Sequence, residues 1–318
     1  QSFPWISTSK PLLSKAGAYT QSHTYSPEDV EEIISYATSR GIRLMHEFDT
    51  PGHTASWGMG YPDLLTPCYS NGKPNGQRYA INMVNESSYD FLSSFFGEIA
   101  QRSSDQYIFL GGDEVSFTPC IASNPSVQQF MAAHGWGTDY AKLEAYYMSK
   151  LLDIVNSNNK SAVVWQEVFD NIGKDLPEDT IVNVWKGHGT DEWRPEASNV
   201  TNNGYRAVIS APYYENYISY GATWETEYAV DVRNITNGDP DLVVGMMVAL
   251  WAEYIDATDI IPRAFPRAAA AVERAWSAAN VNSISEATPR IHAHRCRMLS
   301  RGIRAEPQTG PGFCVSEW

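Results

Sequence analysis

The sequence predicts an α/β fold: a mostly parallel sheet buried on both faces, closed into a barrel or left open and doubly wound. Three observations predict it. Six short apolar runs rich in β-branched residues recur along the 318 residues, as strands covered on both faces do. Stretches with apolar residues at three- and four-residue steps lie between those runs. Acids, aromatics and a histidine gather just after the ends of the runs, where function collects in a barrel.

Taken in order, residues 26–40 open with Ser26 as an N-cap and Pro27 at the first helical position, carry acids in the first turn and close at Gly41. They predict a helix. Residues 41–49 predict the first strand, 88–102 a helix, and 106–112 the second strand. A helix over 139–157 leads to strands at 161–167 and 180–185, and further strands are expected at 205–211 and 242–253. An Ala-rich helix at 261–277 and a last helix at about 283–301 complete the series. No repeat, low-complexity tract or long linker interrupts it, which predicts one domain over 1–318. No G-x-G-x-x-G turn opens a helix, which counts against dinucleotide binding.

Composition narrows the function. Hydrophobic residues make up 43% of the chain and the formal net charge is −14. A negative field repels phosphate, so nucleic acid and anionic membrane surfaces are not expected partners. No apolar run approaches the roughly 20 residues of a membrane-spanning helix. The 10 Trp and 18 Tyr supply core, and also the flat faces that grip sugar rings. Cys68, Cys120, Cys296 and Cys314 show no CxxC spacing, and an even count permits two disulfides in any of three pairings. Sequons at Asn85, Asn159, Asn199 and Asn234 join the cysteines in favouring a secretory or lysosomal setting. The first residue is Gln1, with no leader after it, so the chain is expected to start inside a longer gene product.

The strand ends carry the chemistry. Asp49 and His53 follow the first run, Asp113 and Glu114 the second, and Trp165 and Glu167 end the third. Trp185 ends the fourth, Tyr213, Tyr214 and Asn216 follow the fifth, and Trp251 and Glu253 end the sixth. Adjacent residues on a strand face opposite ways, so Asp113 and Glu114 serve one pocket only where the strand stops. Gly111 and Gly112 permit that break. The bland alternative is that Asp113 caps a turn and Glu114 is solvated. The functional one is a divided pair. One acid, enclosed, has a raised pKa and donates a proton; the other, wetter and hydrogen-bonded, stays ionised. Glycoside hydrolysis needs that division.

The segments "EFDTPGHTASWG", "LLTPCYS", "GGDEV", "VVWQEVFDN", "SAPYYENYISYG" and "LWAEYID", in this order, resemble the catalytic domain of the family 20 β-N-acetylhexosaminidases, and its lysosomal branch most. The resemblance runs from "QSFPW" to "GFCVSEW". It implies a (β/α)8 TIM-type barrel and a substrate-assisted retaining mechanism on terminal β-linked N-acetylhexosamines, in which the sugar's own acetamido oxygen attacks the anomeric carbon. Glu114 would be the general acid and then base, Asp113 would orient and stabilise the acetamido N–H, and Tyr214 would donate to the acetamido carbonyl. Trp165, Trp185 and Trp251 would wall the sugar pocket, Asn216 and Glu253 would hold hydroxyls, and His53 would tune the acid. It also implies pairings of Cys68 with Cys120 and Cys296 with Cys314, no metal or organic cofactor, and allows a homodimer.

Three departures from the family pattern stand out. A small α/β domain and the first two barrel strands, with an Arg for the sugar hydroxyls and an Asp for the histidine, would precede Gln1. Phe109 stands where the pattern has His, and Tyr217 where the type accepting anionic substrates has Arg, which points to neutral sugars. Two other readings compete. A metal-dependent barrel hydrolase could draw ligands from His46, Asp49, His53, Asp113, Glu114 and Glu167, with His292 and His294 as a further pair. A homologue that binds glycans without cleaving them is the other.

Overall fold

The computed structural model describes residues 2–310 and 312–314. The chain divides into two compact units, Gln1–Val182 and Asn183–Trp318; the outermost residues of the range expected as one domain, and part of "GFCVSEW", lie outside the described residues.

In the first unit, the helix Pro27–Thr38 begins as its sequence dictates. The Ser26 side chain accepts from Asp29 N while the Asp29 carboxylate accepts from Ser26 N, a reciprocal capping box with Pro27 at the first position. Helix Glu86–Arg102 is capped by Asn85 and buries Leu92, Phe95, Phe96 and Ile99. Phe95 meets Phe3, Trp5, Phe48 and Trp57 with ring centroids 5.0–6.1 Å apart. Helix Tyr140–Ser157 buries Leu143, Tyr147, Met148, Leu151, Leu152 and Val155, one face of a 3.6-residue period. Each such side chain contributes about 1.5–3 kcal/mol when fully buried.

A hairpin absent from the predicted elements stands apart from the parallel strands. β1 (Leu65–Ser70) and β2 (Lys73–Ile81) pair antiparallel around Asn71 and Gly72, both left-handed. "NG" between two strands is a strong hairpin signal. The Cys68–Cys120 disulfide joins β1 to the short helix Cys120–Ser123.

The parallel strands are shorter than predicted. β3 is Tyr107–Phe109, β4 Ser161–Trp165 and β5 Ile181–Val184, the strand within which the division between units falls. Tyr107, Ile108 and Phe109 pair with Ser161, Ala162 and Val163. The expected first strand, 41–49, is not a regular strand. It lies beside β3 through one parallel bridge, Glu47–Phe109, with Phe48 N donating to Phe109 O (3.0 Å) and Phe109 N to His46 O (2.9 Å).

In the second unit, β6 (Arg206–Ile209) pairs in parallel with β7 (Val243–Met246), and Ser210 N donates to Val184 O at the end of β5. The run expected as a strand to residue 253 ends as a strand at Met246, with Met247 N still donating to Ile209 O (3.0 Å), and Ala249 then bridges Tyr214. The helix expected over 261–277 is two helices, Ile260–Ala264 and Arg267–Trp276. Pro266 lacks an N–H and its ring forces Phe265 into extended backbone, which breaks the run. The last helix, Ile284–Ser300, is capped by Ser283, and Cys296 is joined to Cys314. Trp224, Tyr228, Ala270, Ala287 and Ile291 form a core cluster between helices.

Glu98 fixes the start of the first unit. It accepts from Ser7 Oγ (2.7 Å), Thr8 N and Thr8 Oγ1 (both 2.8 Å) and Ser9 N (2.9 Å). Burial works to raise its pKa, but the Ser7, Thr8 and Ser9 donors outweigh that and hold it at about 2. A depressed acid stabilises the fold above its unfolded value and loses that contribution as pH falls toward 2. Glu98→Ala is expected to cost about 1–3 kcal/mol in urea denaturation at pH 6, since it leaves those donors without their acceptor.

Candidate active site

In the first unit the site is set by a break after β3. Gly111 and Gly112 are left-handed, with φ of 73° and 92°. A Cβ on Gly111 would lie 1.9 Å from Asp49 Oδ1, and one on Gly112 2.3 Å from Val168 Cγ2. The chain therefore runs flush against both neighbours, and Gly112 N donates to Asp49 Oδ1 at 3.0 Å. The break lets two successive side chains serve one place. His53 Nε2 lies 3.6 Å from Asp113 Oδ2 and 3.4 Å from Glu114 Oε2. His53 and Glu114 both have positive φ (51° and 52°) without being glycine, a cost of about 1–3 kcal/mol each that clusters at functional sites.

The enclosed acid of the pair is Asp113. Its side chain is 14% exposed, against 57% for Glu114. Burial above all raises the Asp113 pKa, with His53 pulling the other way. Asp49 is raised well above the usual range by burial and then by Asp113, with which it shares a hydrogen bond. Two carboxyl groups this close favour holding a proton between them. Asp113 Oδ1 is buried and has no hydrogen-bond partner. A buried acceptor in that state suits an incoming N–H donor.

Glu47 was absent from the predicted site. It accepts from Trp165 Nε1 (3.2 Å), and the protein packed around its carboxyl group, then Asp113, raise its pKa. Alternation in extended chain could have found it, because Glu47 and Asp49 are two residues apart and share a face. Trp165 is buried, its ring 4.7 Å from Phe109. Of the metal-ligand set weighed from sequence, Asp49, His53 and Asp113 bring ligand atoms within 4.8 Å of one another. Near His292, both candidate sulfurs, Cys296 and Cys314, are committed to a disulfide.

In the second unit, Tyr214 is buried at the centre of an aromatic group. Its ring lies 6.3 Å from Trp185, 5.0 Å from His188 and 5.7 Å from Tyr217, stacked on the last. Tyr217 Oη is 2.9 Å from His188 Nε2, so His188, which as a lone loop residue gives no sequence signal, belongs to this group. Asn216 Oδ1 is buried without a hydrogen-bond partner. Trp251 and Glu253 are exposed.

The sequence signature described as glycosyl hydrolase family 20, catalytic domain, matches residues 1–279. The chain belongs to glycosyl hydrolase family 20. This family 20 chain is 47% identical over its full length to the human beta-hexosaminidase subunit beta, and 46% to the bovine subunit alpha. It spans 56% and 60% of those two proteins, so a little over half their length. Among solved structures it is similar to a Flavobacterium johnsoniae chitobiase (TM-score 0.82, 23% identity, 97% of this chain and 47% of that one). It is similar also to a mutant Streptomyces plicatus beta-hexosaminidase in complex with product GlcNAc (TM-score 0.76, 20% identity, 98% and 62%). At those identities the likeness shows the fold, and the family 20 chain has the α/β barrel fold class expected from its sequence.

Proposed function

We propose that this family 20 chain is the catalytic part of a retaining exo-β-N-acetylhexosaminidase that removes terminal β-linked N-acetylglucosamine or N-acetylgalactosamine. The observation that carries the reading is Asp113 and Glu114 meeting at one His53 nitrogen, with Asp113 Oδ1 buried and unpaired. The acetamido oxygen of the substrate attacks the anomeric carbon and the bond to the leaving oxygen breaks. Glu114, on the open side of the pair, gives that oxygen its proton. Asp113 accepts the acetamido N–H and stabilises the positive charge that builds on the cyclic oxazolinium, a preorganised electrostatic role. Water then attacks the same carbon with Glu114 taking its proton, and the configuration is retained.

For the second-unit residues we propose the family's roles. Tyr214 donates to the acetamido carbonyl, Trp185 and Trp251 offer faces to the sugar, and Asn216 and Glu253 take hydroxyls. Trp165, being buried and tied to Glu47, supports the floor of the site through Glu47. Tyr217 favours neutral sugars. Residues 1–318 are read as part of one catalytic domain, because the family signature runs across the division at Val182. A lysosomal or secreted location is supported by two disulfides and by exposure of Asn85, Asn159, Asn199 and Asn234. Among the described residues no helix is long and apolar enough to cross a membrane. A homodimer is tested by the mass of the purified protein in solution.

Full-length protein should hydrolyse a neutral chromogenic N-acetyl-β-glucosaminide near pH 5. Binding without turnover would overturn the catalytic reading. Asp113→Asn is expected to reduce kcat about 10²-fold, the scale of one positioned group acting on developing charge. KM should change little, and steady-state kinetics at pH 5 separates the two.

A further inference from the structure

Between Tyr214 and Asn216 sits Glu215, whose side chain turns the other way and is fully buried. Its carboxylate Oε2 is 2.6 Å from Arg267 Nε, itself almost fully buried. Arg267 Nη2 donates to the Glu215 carbonyl at 2.7 Å, so one guanidinium grips side chain and main chain together. Glu215 N donates to Ala249 O, and Ala249 N to Tyr213 O, both at 2.8 Å. A second buried carboxyl group, Glu227, lies on the helix Trp224–Ala229 and is hydrogen-bonded to Glu215. Neither Glu215 oxygen receives an aligned donor, because Arg267 Nε directs its N–H at Arg263 O (3.1 Å).

We propose that Glu215 is a positioning residue, holding Tyr214 and Asn216 for substrate through a buried clamp with Arg267 that requires a proton shared between Glu215 and Glu227. The proposal rests on the reading that Tyr214 and Asn216 bind the sugar. Two buried carboxylates facing one guanidinium would carry an uncompensated charge, which a shared proton removes. The other charged groups facing the cluster are Arg263, Glu306 (3.7 Å from Arg267 Nε), and Arg274, whose Nε is buried without a partner. Tyr213 and, around it, Asp231 and Arg194 close the group. Among the described residues none of these is an ion-pair partner of Glu215, whose salt bridge is to Arg267.

The protonation follows the geometry. Burial first, then Glu227, push Glu215 well above the usual carboxylate range; burial raises Glu227 too, against the pull of Arg267. Both exceed the 4.5 of an ordinary Glu. The folded state therefore binds more protons than the unfolded one, and the clamp weakens as rising pH strips the shared proton from the pair.

The test is kcat and KM of the full-length enzyme from pH 5 to 8, for wild type and Glu215→Gln, with melting temperature recorded alongside. Gln is a permanently neutral mimic of the protonated acid. Wild-type KM is expected to rise about tenfold from pH 5 to 8. In Glu215→Gln it should change less than twofold, with kcat at pH 5 within about threefold of wild type. A variant KM profile that overlays wild type would overturn the positioning role, even if the melting profile flattens. So would a Glu215→Gln protein that does not fold, since a neutral side chain is claimed to suffice. Absence of wild-type turnover would instead overturn the proposed function, and this inference with it.

Discussion

Glu114→Gln should lower kcat by about 10²–10⁴-fold on an N-acetylhexosaminide with a poor leaving group, the usual contribution of a positioned acid. The amide keeps the size and polarity of the carboxyl group but cannot pass a proton to the leaving oxygen. Its side chain is 57% exposed and its carboxylate reaches His53 at 3.4 Å, so neither packing nor a buried hydrogen bond is lost. Fold stability should stay within about 0.5 kcal/mol, as for other open positions. Leaving groups sharpen the test. With a good one, such as a dinitrophenolate, protonation matters less and the defect in the first chemical step should shrink. A Glu114→Gln enzyme with wild-type turnover on both substrates would remove Glu114 from the mechanism.

The second large effect concerns the break after β3. Gly111→Ala places a methyl 1.9 Å from Asp49 Oδ1 and 2.6 Å from the Asp49 Cα. The clash involves backbone as well as a side chain already anchored by Gly112 N, so no rotamer change relieves it. The backbone there also stands at φ 73°, which an alanine adopts at a cost of about 1 kcal/mol or more. Overpacking adds about 1–3 kcal/mol. The variant is expected to be destabilised by about 2–4 kcal/mol, read by urea denaturation. Whatever folds should lose kcat, because Asp49 must move and Asp113 moves with it. An alanine variant of wild-type stability would contradict the close approach on which the Asp113–Glu114 arrangement depends.

Much of this was legible in the residues. The helices at Pro27–Thr38, Glu86–Arg102 and Tyr140–Ser157 carry their caps and apolar period openly, because capping and amphipathicity are local. The strands after Gly41 and after Pro240 were less so. Apolar content does not by itself make a ladder: 41–49, with Ile42, Leu44, Met45 and Phe48, and 247–253, with Val248, Leu250 and Trp251, form only single bridges. The Asn71–Gly72 hairpin was written in the sequence and could have been read from its turn residues alone.

At the site, adjacency of Asp113 and Glu114 after two glycines showed that a pair existed but not which member is enclosed. That depends on Asp49 and Glu47 arriving from a segment some 60 residues away, and no local pattern encodes it. The Glu215–Glu227–Arg267 cluster is likewise invisible in one dimension. A glutamate in "APYYENYISYG" reads as a solvated loop residue until the fold buries it.

The central claim is that the sugar's own amide is the nucleophile, oriented by Asp113 while Glu114 moves the proton. The most direct measurement is kcat/KM for a series of aryl glycosides whose 2-acetamido group carries zero to three fluorines. Each fluorine withdraws electrons from the attacking oxygen, and the account predicts a steep fall across the series, of about 10²-fold or more, the scale of a lost transition-state interaction. A flat series would mean that the amide takes no part in bond making, and would contradict the account.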